Sequence, residues 1–189
     1  MDTIPVAGYL GLLYFGSEFL LGLVKRAKAG TTSPGDRGSL RVLWVTIPLS
    51  MFLAFQFEFG LRAAGWPPRP WINAVGIAVT LLGLAWRWYS IIYLGRFFTV
   101  NVAIAKDHQL IDTGPYRRIR HPSYTGALLA FLGLGLCTQN WAALAVIVVG
   151  TTAAFVYRMR VEEAALTGAF GDRYRLYMQR TSRLIPGVY

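Results

Sequence analysis

The sequence predicts an all-α, polytopic integral membrane protein: five transmembrane helices, the last two paired as a C-terminal helical hairpin, followed by a cytoplasmic amphipathic tail. Three observations carry this. Hydrophobic residues make up 54% of the 189-residue chain and gather into long runs, several near the ~20 residues that span a bilayer's hydrocarbon core. Short basic clusters separate the runs. Sixteen of the nineteen Lys and Arg residues follow the first, third and fifth runs, so the positive-inside rule sets the N-terminus outside and the C-terminus in the cytoplasm. The host membrane is a bacterial inner membrane or the endoplasmic reticulum.

The elements follow in order. Ile4–Val24 is the first span, closed by Lys25, Arg26 and Lys28. It lacks a basic segment before it, which argues against a cleaved signal peptide. Residues 29–40 form a polar loop rich in Gly, Ser, Thr and Pro. The second span runs from Val42 to about Leu61, and WPPRP at Trp66–Pro70 is a turn, because prolines remove backbone donors. The third span is Trp71–Leu94, followed by a long polar segment to His121. The fourth, Pro122–Cys137, is short, about 24 Å at 1.5 Å per residue. TQN at Thr138–Asn140 turns it into the fifth, Trp141–Tyr157. Trp66, Trp71 and Trp141 fall at interfaces, where indole rings normally lie.

Composition excludes several classes. The net charge of +10 is explained by loops facing anionic headgroups; no basic stripe on a soluble fold points to nucleic acid. Cys137 is the single cysteine, so no disulfide forms within the chain, no cysteine metal site is read, and its role is packing. Within the spans, Glu18 and Arg87 are expensive in hydrocarbon. They read as a pair bracing the bundle or as groups near a substrate passage, with Trp86 and Trp88 able to shield Arg87. Glu58 lies nearer a span end.

The charge is densest at RRIRHPSYTG, Arg117–Gly126. Pro122 falls at the first position of a helix, where its fixed φ fits and its missing N–H costs nothing. The free N–H groups and dipole of that helix end favour an anion, with Arg120 and His121 directly before it. Gly126 offers a face without a side chain, open to a ligand or a second helix. The plainer reading is a headgroup anchor. Farther on, Arg158 and Glu162 share a helix face at i, i+4 and can simply pair. The adjacent Glu162 and Glu163 point about 100° apart, and such a carboxylate can accept from two ribose hydroxyls. Tyr174 and Tyr177 with Arg173 and Arg180 suggest an amphipathic surface helix, either a cap or a passive anchor.

GPYRRIRHPSYTG at Gly114–Gly126, Arg158 with Glu162-Glu163, and FGDRYRLYMQRTSRLIP at Phe170–Pro186 together resemble the isoprenylcysteine carboxyl methyltransferase family, which is related to the membrane phospholipid methyltransferases. The resemblance covers residues 95–186; the first two spans carry no motif of it. It implies an integral membrane methyltransferase using S-adenosyl-L-methionine, with a lipophilic or lipid substrate entering from the bilayer. It divides one domain, 1–189, into three N-terminal spans (1–94) and a cofactor-binding half (95–189). Carried over, His121 and Tyr124 contact the methionine part of the cofactor, Glu162 or Glu163 holds the ribose, and Gly126 belongs to the same pocket.

A carboxylate acceptor is already ionised and needs no base, only alignment and removal of water. Arg120 and Arg158, at the open end of the hairpin, are the candidates to position it, since a guanidinium fork binds a carboxylate bidentately. An amine or thiol acceptor requires a base, for which His108 and His121 are the two histidines. Phospholipid amines and small thiols therefore stay open as acceptors. An NADPH-dependent membrane reductase with a similar hairpin, and a non-enzymatic scaffold, are the rivals from other classes.

Overall fold

The computed structural model describes residues 6–25, 36–60, 65, 67, 69–100 and 109–189. The helices are α1 (Val6–Val24), α2 (Asp36–Gly60), α3 (Pro70–Leu94), α4 (Pro122–Cys137), α5 (Trp141–Phe170) and α6 (Asp172–Arg180), with 3-10 turns at Gly95–Phe97 and Gly114–Arg117. No strand forms among the described residues, and two isolated bridges join Gly65 to Asn140 and Ile119 to Ser182. His108, Arg62 and Trp66 lie outside the described residues, as does the Glu58 side chain.

Four helices are long and apolar enough to cross a membrane, α1, most of α2, α3 and α5. The fifth expected span, α4, has 16 residues and falls short of that length. Its place in the bundle gives the reason. Most of it is packed against α3, α5 and α1, with Ala127, Phe131 and Leu134 almost fully buried and only a narrow face, Leu129 and Leu132, exposed, so protein contacts rather than a match to the bilayer hold it.

The α3–α4 seam is built from small residues. A Cβ at Gly83 would stand 2.6 Å from Gly126 O, and one at Gly133 would stand 2.5 Å from Thr80 N. The two backbones thus approach as closely as small-residue membrane helix pairs allow. α5 packs on α2 as well as α4, and Gly150 admits the Ser50 hydroxyl. α1 joins through Tyr14, whose ring lies 4.5 Å from that of Phe131.

The ends match their sequence signals. Pro122 opens α4, and Asn140 caps α5 by accepting from the Ala142 and Ala143 N–H groups at 2.9 and 3.1 Å. Gly95 (φ 61°) ends α3, and Gly171 (φ 54°) ends α5, in conformations that suit glycine. α5 runs 30 residues, about 45 Å, so its last turns carry the double glutamate beyond the apolar run. Trp71 and Trp141 are exposed near the same end of the bundle, opposite the Arg–His–Pro motif.

Candidate functional site

One face of α5 organises the site. Phe155, Arg158, Glu162, Leu166 and Phe170 recur at helical spacing and all line a single cavity, a stripe about 22 Å long. At its apolar end the cavity is walled by Phe15 of α1 and by Leu43, Trp44 and Ile47 of α2. At the other end stand Phe97, Tyr116, Tyr174 and Tyr177. Between them sit His121, Tyr124, Arg158 and Glu162. The two halves of the chain therefore share the cavity wall.

The adjacent glutamates separate. Glu162 faces the cavity and accepts from the Tyr124 hydroxyl at 2.8 Å. His121 Nδ1 lies 3.8 Å from the same oxygen, Oε2. Glu163 turns the other way, 6% exposed. It accepts from Arg120 Nε at 3.0 Å and Arg183 Nη2 at 2.7 Å, and lies 3.3 Å from His121 Nε2. The His121 ring, bracketed by both carboxylates, also stacks on Tyr124, with 5.4 Å between centroids and 15° between planes.

Arg120, expected to steer an acceptor carboxylate, has a different set of partners. Besides Glu163, it donates through Nη1 to the carbonyls of Met178 and Thr181. Only Nη2 of its guanidinium has no partner among the described residues. The reason is tertiary: residues 181–184 lie alongside 118–121. Arg120 N donates to Ser182 O at 2.8 Å, His121 N to Arg183 O at 3.1 Å, and Thr125 Oγ1 to Leu184 O at 2.9 Å. Arg183 was not singled out from sequence. Its only signal was position: a cation three residues past α6, within the RTSRLIP stretch. Its hydrogen bonds to Glu163 hold its pKa above the usual arginine range.

Arg158 is 2% exposed and lines the cavity. Nη1 donates to Ser39 Oγ at 2.5 Å and Nη2 to Val100 O at 2.7 Å. Ser39, from α2, was equally invisible in sequence. Gly126 does not line the cavity; of the two uses open to its bare face, the structure shows helix approach, with a Cβ there 2.6 Å from Arg87 N. Tyr174 and Tyr177 of α6 are buried while Arg173 is exposed. Tyr177 donates to Tyr116 O at 2.6 Å, and burial pushes the phenols of Tyr116, Tyr174 and Tyr177 well above their ordinary pKa. Arg180 pairs with Asp112. α6 is thus a wall of the cavity. The Glu18–Arg87 pair forms as expected, and both residues also line the cavity. Trp86 leans on Tyr89. Cys137 is buried against α3.

Residues 71–173 match the phospholipid methyltransferase family. Among curated proteins, protein-S-isoprenylcysteine O-methyltransferase B of Arabidopsis thaliana is 33% identical over 120 residues, covering 62% of this chain and 61% of its own. Protein-S-isoprenylcysteine O-methyltransferase of Tribolium castaneum is 27% identical over 188 residues, covering 96% of this chain and 65% of its own. Among solved structures, the eukaryotic intramembrane Ras methyltransferase isoprenylcysteine carboxyl methyltransferase superposes with a TM-score of 0.67 at 24% identity. That match covers 96% of this chain and 65% of the other, and it shows a common fold. The chain thus spans 61–65% of the length of these three proteins.

Proposed function

The chain belongs to the phospholipid methyltransferase family, and from that premise we propose that it is an integral membrane methyltransferase that uses S-adenosylmethionine to methylate the carboxylate of an isoprenylcysteine-like lipophilic acceptor. The observation that carries the reading is the α5 stripe: apolar Phe155, cationic Arg158, anionic Glu162 and apolar Leu166 in succession along one cavity. The sequence of chemistries fits an acceptor with a tail and a carboxylate meeting a cofactor with a ribose and a flat base.

The residues present fit S-adenosylmethionine. Glu162 has lone pairs left beyond its bond from Tyr124 and suits the two ribose hydroxyls. Phe97, Phe170 and Tyr174 offer flat apolar walls for adenine. His121 and Tyr124, stacked beside Glu162, suit the methionine part. When bound, the cofactor supplies an electrophilic methyl group on a sulfonium. Arg158 holds the acceptor carboxylate and aligns it; the carboxylate, ionised at neutral pH, requires no base from His121. Phe155 and Tyr124, 5.1 Å apart, keep water from the anionic oxygen, whose solvation would blunt it. Glu163, Arg120 and Arg183 act through His121, fixing the chain around it. The Arg–His–Pro end faces the cytoplasm, α4 is a short fifth membrane helix, and the acceptor enters from the bilayer between α1 and α2.

The test is calorimetric binding to detergent-purified protein of S-adenosylhomocysteine, with NADPH run beside it, followed by methyl transfer to N-acetyl-S-farnesylcysteine, phosphatidylethanolamine and methanethiol. Micromolar binding of S-adenosylhomocysteine with turnover of the farnesylcysteine is expected. NADPH binding alone replaces this reading with a reductase, binding of neither by folded protein with a scaffold, and turnover of only the amine or the thiol moves the acceptor class.

A further inference from the structure

Part of the cavity wall is polar where its surroundings are apolar. Glu18 on α1 and Arg87 on α3 share two hydrogen bonds, of 2.6 and 2.7 Å, and Arg87 Nη1 donates to Ser123 O at 3.2 Å. Three of the five guanidinium N–H groups are thereby engaged. Tyr14, one turn before Glu18 and 3% exposed, lines the same cavity. Its hydroxyl has no partner among the described residues. The Ser123 hydroxyl, in a residue 6% exposed and also at the cavity wall, has none either. A brace for the bundle explains the ion pair but makes no use of these two hydroxyls, which open to the cavity rather than being sealed in the core: among the described residues, Asn73 Oδ1 is the one fully buried side-chain polar atom without a partner.

We propose that Tyr14, Glu18, Arg87 and Ser123 form a subsite for an uncharged carbonyl-bearing group that the acceptor carries beside the atom to be methylated. Charge makes the selection. Glu18 already balances Arg87, so another carboxylate or ammonium there would sit uncompensated among Phe15, Leu43 and Ile47. A carbonyl oxygen accepts from the two hydroxyls and the remaining Arg87 N–H groups without adding charge. Ser123 neighbours Tyr124, so the subsite adjoins the station where methylation is proposed, and Arg158 remains for the carboxylate. The inference rests on the carboxyl-methylation reading above.

The experiment compares KM for two acceptors: N-acetyl-S-farnesylcysteine, and S-farnesyl-3-mercaptopropionate, which keeps the tail, thioether and carboxylate but lacks the amide. The wild type should favour the amide acceptor by about tenfold, the weight of one to two hydrogen bonds. Tyr14→Phe and Ser123→Ala should each bring the KM ratio toward one, with S-adenosylhomocysteine binding retained as the sign of a folded site. A ratio that neither substitution moves, in variants that still bind S-adenosylhomocysteine, overturns the subsite. No turnover of either acceptor by wild type that binds S-adenosylhomocysteine overturns the carboxyl-methylation reading itself, and the subsite with it.

Discussion

The neighbouring glutamates should give opposite phenotypes when each is changed to glutamine. Glu163 is buried and is shared by Arg120, Arg183 and His121. Glu163→Gln leaves two guanidinium groups facing a neutral amide. Removing one partner of a buried ion pair costs about 3–5 kcal/mol. The Arg183 side chain is 28% exposed and the Arg120 side chain 10%, so water takes up part of that charge, and about 2–3 kcal/mol is expected. For a chain of this size that is roughly 4–12 °C in Tm. Glu162 has a 30% exposed side chain and one hydrogen bond from Tyr124, which an amide oxygen can still accept. Glu162→Gln should therefore shift Tm by only about 0–3 °C, corresponding to less than about 1 kcal/mol. It replaces a charged acceptor for ribose by a neutral one, worth about 1–2 kcal/mol, or roughly 5–30-fold in S-adenosylhomocysteine Kd. Thermal unfolding in detergent and calorimetry measure the two quantities on the same preparations. Equal Tm losses for both variants, or a weakened Kd in Glu163→Gln without a Tm loss, would refute the division of labour.

Arg158→Lys removes the planar fork and should raise the acceptor KM by about 10–100-fold while S-adenosylhomocysteine affinity stays within about twofold; equal losses would make Arg158 a cofactor ligand. Gly126→Ala places a methyl 2.6 Å from Arg87 N, and overpacking of about 1–3 kcal/mol should lower Tm; a drop in cofactor affinity at unchanged Tm would return Gly126 to the cofactor pocket. Burial raises the Tyr177 pKa, so the folded state keeps this proton where the unfolded chain loses it. Its contribution is complete below the ordinary phenol value of about 10 and declines above it. Tyr177→Phe should be about 1 kcal/mol less stable at pH 8, through loss of the bond to Tyr116 O, and should lose less Tm than wild type between pH 9 and 11; parallel pH curves would contradict this.

Wherever the physics is local, the chain was legible from its order of residues. Apolar runs and basic clusters are one-dimensional signals, and they placed α1, α3 and α4 within a few residues; they placed the start of α5 but not its end, because the helix continues 13 residues past the apolar run to Phe170. Pro122 at the start of α4 acts through its own φ. Glu18 and Arg87 were legible as partners because each is costly alone in an apolar run, and their 2.6 Å contact agrees. For the candidate site residues, the order of residues shows their chemical types but not their partners. Arg120 looked available because the carbonyls of Met178 and Thr181 are about 60 positions away, and nothing in RHPSYTG announces them. Gly126 looked equally fit for ligand or helix until α3 lay against it. Glu162 and Glu163 are indistinguishable in sequence; the packing of residues 181–184 beside 118–121 turns one toward Arg183 and leaves the other facing the cavity. The sequence by itself determined that the chain is helical, lies in a membrane and carries its charge at the mouth of α4. The tertiary structure alone decided which of those charges are satisfied within the protein and which face the cavity, because that depends on long-range contacts whose partners share no local pattern.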